Sequence, residues 1–266
     1  MKLARLLFLL LALSGCRASK NFKTYQAEAM AQSVYTAWAQ GQLDEGLRLA
    51  EKAVDFTLKE FGPDHSRTAS AYSNLGAAYF HLGRNAEAEQ ALLQSLAIWE
   101  KAENPDLSLV ATALINLAEI YKVQGRLDGA EVVYRRAVTL LESTPTPDPS
   151  QLTLVRYNLS EILRMTERCA LAEPIYGEIL EDTKHAADRQ VQSLYGMSLN
   201  GLAICLQERK SYAEAKENYQ VACQVMAETM GPNDPNTVVC LQNLSDLEQE
   251  IAAGEEPAAE ELPAPE

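Results

Sequence analysis

The chain is poor in the residues that usually carry out chemistry. Its 266 residues include only three histidines, His65, His81 and His185, and these lie far apart. It contains no Cys-x-x-Cys, no His-Glu-x-x-His, no Gly-x-x-x-x-Gly-Lys and no Gly-x-Ser-x-Gly. The common zinc, phosphate-loop and serine-nucleophile signatures are therefore missing. No catalytic residue, metal site, cofactor or small-molecule substrate is expected. Cations are also scarce, with 23 Lys and Arg against 37 Asp and Glu and a formal net charge of −14. A basic footprint for nucleic acid is absent, and so is one for lying flat on an anionic membrane. Aromatics make up only 7% of the chain, and no alternating run reads as a strand.

What is present is a repeat. Asn74-Leu75-Gly76, Asn116-Leu117-Ala118 and Asn158-Leu159-Ser160 follow one another at a step of 42 residues. The next unit is displaced by one residue and reads Gly201-Leu202-Ala203, and Asn243-Leu244-Ser245 follows 42 later. A fixed period of this size marks stacked supersecondary units rather than a single globular core. The second unit is the clearest. Leu114, Leu117, Ala118 and Tyr121 are spaced as one helix face, Gly125 falls where the pattern resets, and Ala130, Tyr134, Ala137 and Leu141 form a second face. Each unit therefore reads as helix, turn, helix. Glu167 and Lys210 replace the turn glycine in the third and fourth units. An atypical leading unit carries Gly41 and Gly46, and a final unit keeps only its first helix, about Asn236 to Ala252. The count is about eleven helices.

The spacing Ala118, Tyr121, Ala130, Tyr134, Ala137 resembles the tetratricopeptide repeat. The period is longer than the family's usual value of roughly 34. Its linkers, Phe61-Gly62-Pro63-Asp64-His65 and Met230-Gly231-Pro232-Asn233-Asp234-Pro235, resemble those of the kinesin-light-chain variety. The resemblance implies an all-α, right-handed superhelical solenoid over residues 22–252, with the first helix of each unit lining a concave groove. It places Asn74, Asn116, Asn158 and Asn243 in that groove, with Asn200 standing in where Gly201 breaks the series. Phe80, Lys122 and Arg164, which share one repeat position, would be neighbours, together with Tyr157, Glu119 and Glu161. Amide side chains carry donors and an acceptor, so such a series can pair with the backbone of an extended peptide; the alternative is a structural ladder between adjacent helices. Lys122 and Arg164 could attract an acidic ligand or form a solvated face, and paired carboxylates such as Glu119 and Glu161 usually form one.

Residues 1–15 read as a secretory signal: a basic start, the short apolar run Leu6 to Leu13, then small residues. The run is too short to remain as a spanning helix. Leu13-Ser14-Gly15-Cys16 resembles a bacterial lipobox, which implies that Cys16 becomes a lipidated first residue on a tether over 16–21. Cleavage after Gly15 would remove Lys2 and Arg5 and take the formal charge from −14 to −16. The expected location is a bacterial membrane, the outer membrane facing the periplasm if the host is Gram-negative. Residues 253–266, rich in Pro and Glu, read as a disordered acidic tail.

Four cysteines remain. An exported chain can keep disulfides, and four cysteines allow three connectivities. Cys169 and Cys205 stand about equally far from the turn between them, as Cys223 and Cys240 do from theirs. That register points to Cys169–Cys205 and Cys223–Cys240; the alternative is four small buried apolar thiols. Together these features point to a membrane-anchored scaffold or assembly factor that binds a protein or peptide partner. A surface adhesion module and a recruiter of a cell-wall enzyme are the other readings.

Overall fold

The computed structural model describes residues 22–144 and 149–255. The leader, Cys16, the tether and residues 256–266 of the tail lie outside the described residues. Eleven helices run through the described part: α1 (22–39), α2 (Leu43–Phe61), α3 (Ser66–His81), α4 (Asn85–Lys101), α5 (Leu107–Val123), α6 (Leu127–Glu142), α7 (Pro149–Met165), α8 (Cys169–Thr183), α9 (Arg189–Glu208), α10 (Tyr212–Thr229) and α11 (Pro235–Glu255). There is no strand among the described residues. The helix α11 continues to Glu255, past Ala252, where a polar tail was expected to begin. The Gly254-Glu255 dipeptide is helical because it extends an established helix, which costs far less than nucleating one. No described helix is long and apolar enough to cross a membrane.

The linkers start the odd-numbered helices by satisfying their free N–H groups. Asp106 accepts from the Ser108 and Leu109 amides at the start of α5, and Asp188 does the same for Gln190 and Val191 at α9. His65 caps α3 through Nδ1, which accepts from the Arg67 amide at 3.1 Å. The turns into the even-numbered helices need one left-handed residue. Gly41, Gly83 and Gly125 supply it at φ of 71–72°, and Glu167 and Lys210 are held there at φ 59° and 63°.

The helices form two compact units that divide between Leu140 and Leu141. In the first, α3 packs on both α2 and α4, and α4 on α5. In the second, α7, α8, α9, α10 and α11 each pack on the next. Contacts between next-nearest helices run α3–α5 in the first unit and α7–α9 and α9–α11 in the second. The odd helices therefore stand side by side on one flank of each unit, and the even helices occupy the other. Small residues make the close approach possible. Ala88, Ala118, Ala130 and Ala137 are fully buried in the first unit, as are Ala172, Ala203 and Ala215 in the second.

Candidate functional site

On the odd-helix flank of the first unit, α1, α3 and α5 border a cavity of about 800 Å³. Asn74 lies in its wall and accepts a hydrogen bond from the Tyr35 hydroxyl at 3.0 Å. That bond uses the amide oxygen and leaves the amide nitrogen for another acceptor. Asn116 stands one period later on α5. It is half-buried and makes no hydrogen bond within the described chain. In the second unit Asn158 is likewise half-buried and without an internal partner. Asn243 donates to Asn200 at 3.3 Å, bridging α11 and α9. A side chain cannot occupy position 201, because a Cβ there would lie 2.5 Å from the Tyr176 hydroxyl. The amide is therefore carried by the preceding residue, Asn200. The series is thus mixed: Asn74, Asn200 and Asn243 make internal bonds, and Asn116 and Asn158 do not.

The neighbouring repeat position reads Trp38, Phe80, Lys122, Arg164 and Gln207 in successive units. In the first unit Trp38 stands edge-on to Tyr35 at 5.3 Å and lies 5.4 Å from the His81 ring. Phe80 is half-buried, 6.3 Å from His81. Lys122 and Arg164 are not free to attract an acidic ligand. Lys122 is 2.7 Å from Glu119, and Arg164 is 2.7 Å from Glu161. The two glutamates also accept hydrogen bonds from the buried hydroxyls of Tyr134 and Tyr176. Neither carboxylate is a merely solvated face. Each joins a core tyrosine on an even helix to a cation on an odd helix. In the fourth repeat Ile204 stands at the glutamate position, and the Tyr219 hydroxyl donates instead to Gln207, at the position of Lys122 and Arg164, at 3.1 Å. The first repeat has Leu92 at the tyrosine position and Ala77 at the glutamate position, so both members are missing there.

Sequence reasoning took these tyrosines as apolar core and missed the polar end. The available cue was Glu119 and Glu161 at the same period as Tyr134 and Tyr176, always fifteen residues apart. Burial, reinforced by the adjacent carboxylate, pushes the Tyr134 and Tyr176 hydroxyls well above the usual phenol range. Burial pushes Tyr219 up to about 12. Tyr157, on α7, is half-buried and engaged within the chain.

Cys169 on α8 is bonded to Cys205 on α9, and Cys223 on α10 to Cys240 on α11. Each bond ties an even helix to the odd helix that opens the next repeat. The two pairs span Cα–Cα distances of 5.2 and 5.5 Å. Among the described residues no cluster of three His, Cys, Asp or Glu could hold a metal ion. His65 serves as a cap, and His81 packs against Trp38.

The family profile for the tetratricopeptide repeat matches residues 25–101, 67–143 and 194–262. No curated protein matches the sequence. Solved structures do. A Podosopora anserina protein with nearly identical, kinesin-light-chain TPR-like repeats is 18% identical, with a TM-score of 0.63 over 77% of this chain and 96% of that one. A tetratricopeptide repeat protein from Parabacteroides merdae is 20% identical, with a TM-score of 0.58 over 85% of this chain and 75% of that one. BtubC (BKLC) from P. vanneervenii is 16% identical, with a TM-score of 0.54 over 90% and 97%. At these identities the likeness is one of fold.

Proposed function

The chain belongs to the tetratricopeptide repeat family, whose stacked helices serve as protein–protein interaction scaffolds, and from that premise we propose that it is a membrane-anchored scaffold or assembly factor that holds an extended partner segment against the odd-helix flank of its units. The observation that carries the groove is the pair of unpartnered amides. Asn116 and Asn158 are half-buried, and neither is bonded within the chain. A ladder built only to fix the spacing of helices would use every rung, as Asn200 and Asn243 do. Half-buried amides without partners represent hydrogen-bonding capacity that a bound backbone satisfies. An amide can donate to one carbonyl and accept from one N–H, so such rungs read a backbone whatever its side chains.

Anchoring rests on the sequence Leu13-Ser14-Gly15-Cys16. Two or more acyl chains at Cys16 give firm attachment where a single chain is marginal. Attachment raises the effective concentration of the groove for partners on the same membrane. The two disulfides agree with an oxidising compartment.

Two variants separate the parts of this reading. Asn116→Asp combined with Asn158→Asp removes the amide donors and is expected to weaken capture of the native partner while leaving the helical circular dichroism unchanged. Undiminished capture would count against the groove. Cys16→Ala is expected to move the protein from the membrane fraction to the soluble one. If it stayed membrane-bound, the lipid anchor would be wrong and the groove untouched.

A further inference from the structure

We propose, resting on the groove reading above, that the cavity of the first unit is an anchor subsite for one bulky, uncharged apolar side chain of the bound segment. The repeat provides its own standard of comparison. Ser73 lines the cavity, whereas the residues one and two periods later are Ile115 and Tyr157. Ser70 also lines it, and its counterparts are Thr112 and Leu154. Ile115 is almost fully buried, so in its own repeat this position supplies a large side chain to the packing. The first repeat supplies two serines, and Ala27 and Ala31 line the same cavity. At position 73 the first repeat therefore presents a small side chain where the second repeat buries a large one. About 800 Å³ falls within the range of ligand sites rather than of packing defects.

The wall also defines the occupant's charge. The ionic groups on it already bond within the chain. Glu28 and Arg67 pair at 3.2 Å, and Asp106 accepts from two backbone amides of α5. His65 accepts from the Arg67 amide and stacks on Phe61 at 4.9 Å. Further along the groove of this unit, Lys122 is held by Glu119. An anionic anchor would lose its hydration and find Arg67 already paired, and a cationic one would find Glu28 paired likewise and Asp106 already turned to the α5 amides, whereas an apolar anchor gains from burial against Phe61 and Leu109. The Asn74 amide nitrogen remains available in the wall. The Trp99 indole, 3% exposed, has no acceptor for its N–H. Buried donors are rarely left this way.

The test is to pan a phage-displayed random dodecapeptide library against the full, oxidised chain and to measure the selected peptides at low and high salt. The expected selection is uncharged peptides sharing a bulky aliphatic or aromatic residue, with affinity indifferent to salt. Ser73→Tyr, which puts the third repeat's side chain into the space, should weaken them by roughly 30-fold, the size of an interface hot spot. Ser70→Leu tests the same point independently should Ser73→Tyr fail to fold. Selected peptides rich in acidic or basic residues would overturn the assignment of class. Peptides that bind Ser73→Tyr and Ser70→Leu as well as wild type, yet are lost with Asn116→Asp and Asn158→Asp, would overturn the subsite and leave the groove standing. No enrichment over a bait-free control would contradict both.

Discussion

Two residues sit in a conformation that their side chains oppose. Glu167 and Lys210 adopt the left-handed backbone that Gly41, Gly83 and Gly125 occupy in the equivalent turns. For a residue with a Cβ this costs about 1–2 kcal/mol, part of which glycine returns through its larger unfolded-state freedom. Glu167→Gly and Lys210→Gly are each expected to stabilise the protein by about 0.5–1 kcal/mol, read as a higher urea midpoint at an unchanged slope. A lower midpoint at either site would mean that the native side chain makes a compensating contact. The buried tyrosines make a second residue-scale prediction. Tyr134→Phe removes the buried one of Glu119's donors, leaving Lys122, and should cost about 1.5 kcal/mol. The cost should shrink in a Glu119→Gln background, and an equal cost in both would show that the bond contributes nothing. The same hydroxyls predict sensitivity to base. Their folded pKa lies above the unfolded value of about 10, so the stability they contribute is complete below that pH. It is lost as pH rises through the folded value, about 12 for Tyr219. Tyrosinate absorbance should therefore rise together with loss of helix in that window. Titration near pH 10 with the helices intact would contradict this.

At the scale of the element, the disulfides are placed unevenly. Both described pairs lie in the second unit, closing sequence separations of 36 and 17 residues. Loop-closure arguments assign each about 3–4 kcal/mol. Reduction should therefore speed amide exchange in α8 to α11 and leave α2 to α5 unchanged. Uniform acceleration across both units would show that they unfold together. The helices themselves were legible in the sequence because apolar residues at steps of three and four repeat with one period, and small residues mark the close approaches. The turn glycines could be recognised for the same reason. The bond from Tyr134 to Glu119 was not legible, because a stripe of apolar positions counts tyrosine as filling and says nothing about its hydroxyl. Nor was the cavity. Ser70 and Ser73 look like ordinary polar positions until the fold places them in one cavity wall with Ala27 and Ala31. The unequal use of the asparagines also depends on contacts that no spacing encodes, such as Tyr35 reaching Asn74 across 39 residues.

For the molecule as a whole, acidity and exposure set the pH range. Hydrogen bonds from Arg48, Lys23, Arg84 and Lys184 hold the carboxyls of Glu45, Glu60, Glu87 and Glu181 below their ordinary range. Their folded pKa values are depressed, so their contribution is present above the unfolded value of about 4.3. It is lost as pH falls through the lower folded values. The melting temperature should therefore stay level from neutral pH down to that point and drop below it, with less effect at high salt, because these groups face solvent. The proposed function depends on which flank of a unit meets the partner. The most direct test places a photo-crosslinking amino acid at Asn116, on the odd-helix flank, and in a separate variant at Val132, which is exposed on α6. Each is irradiated in cells carrying the full chain. The groove account predicts a discrete protein adduct from position 116 and none from position 132. An adduct from position 132 alone would show that the partner meets the even-helix flank and would contradict the account.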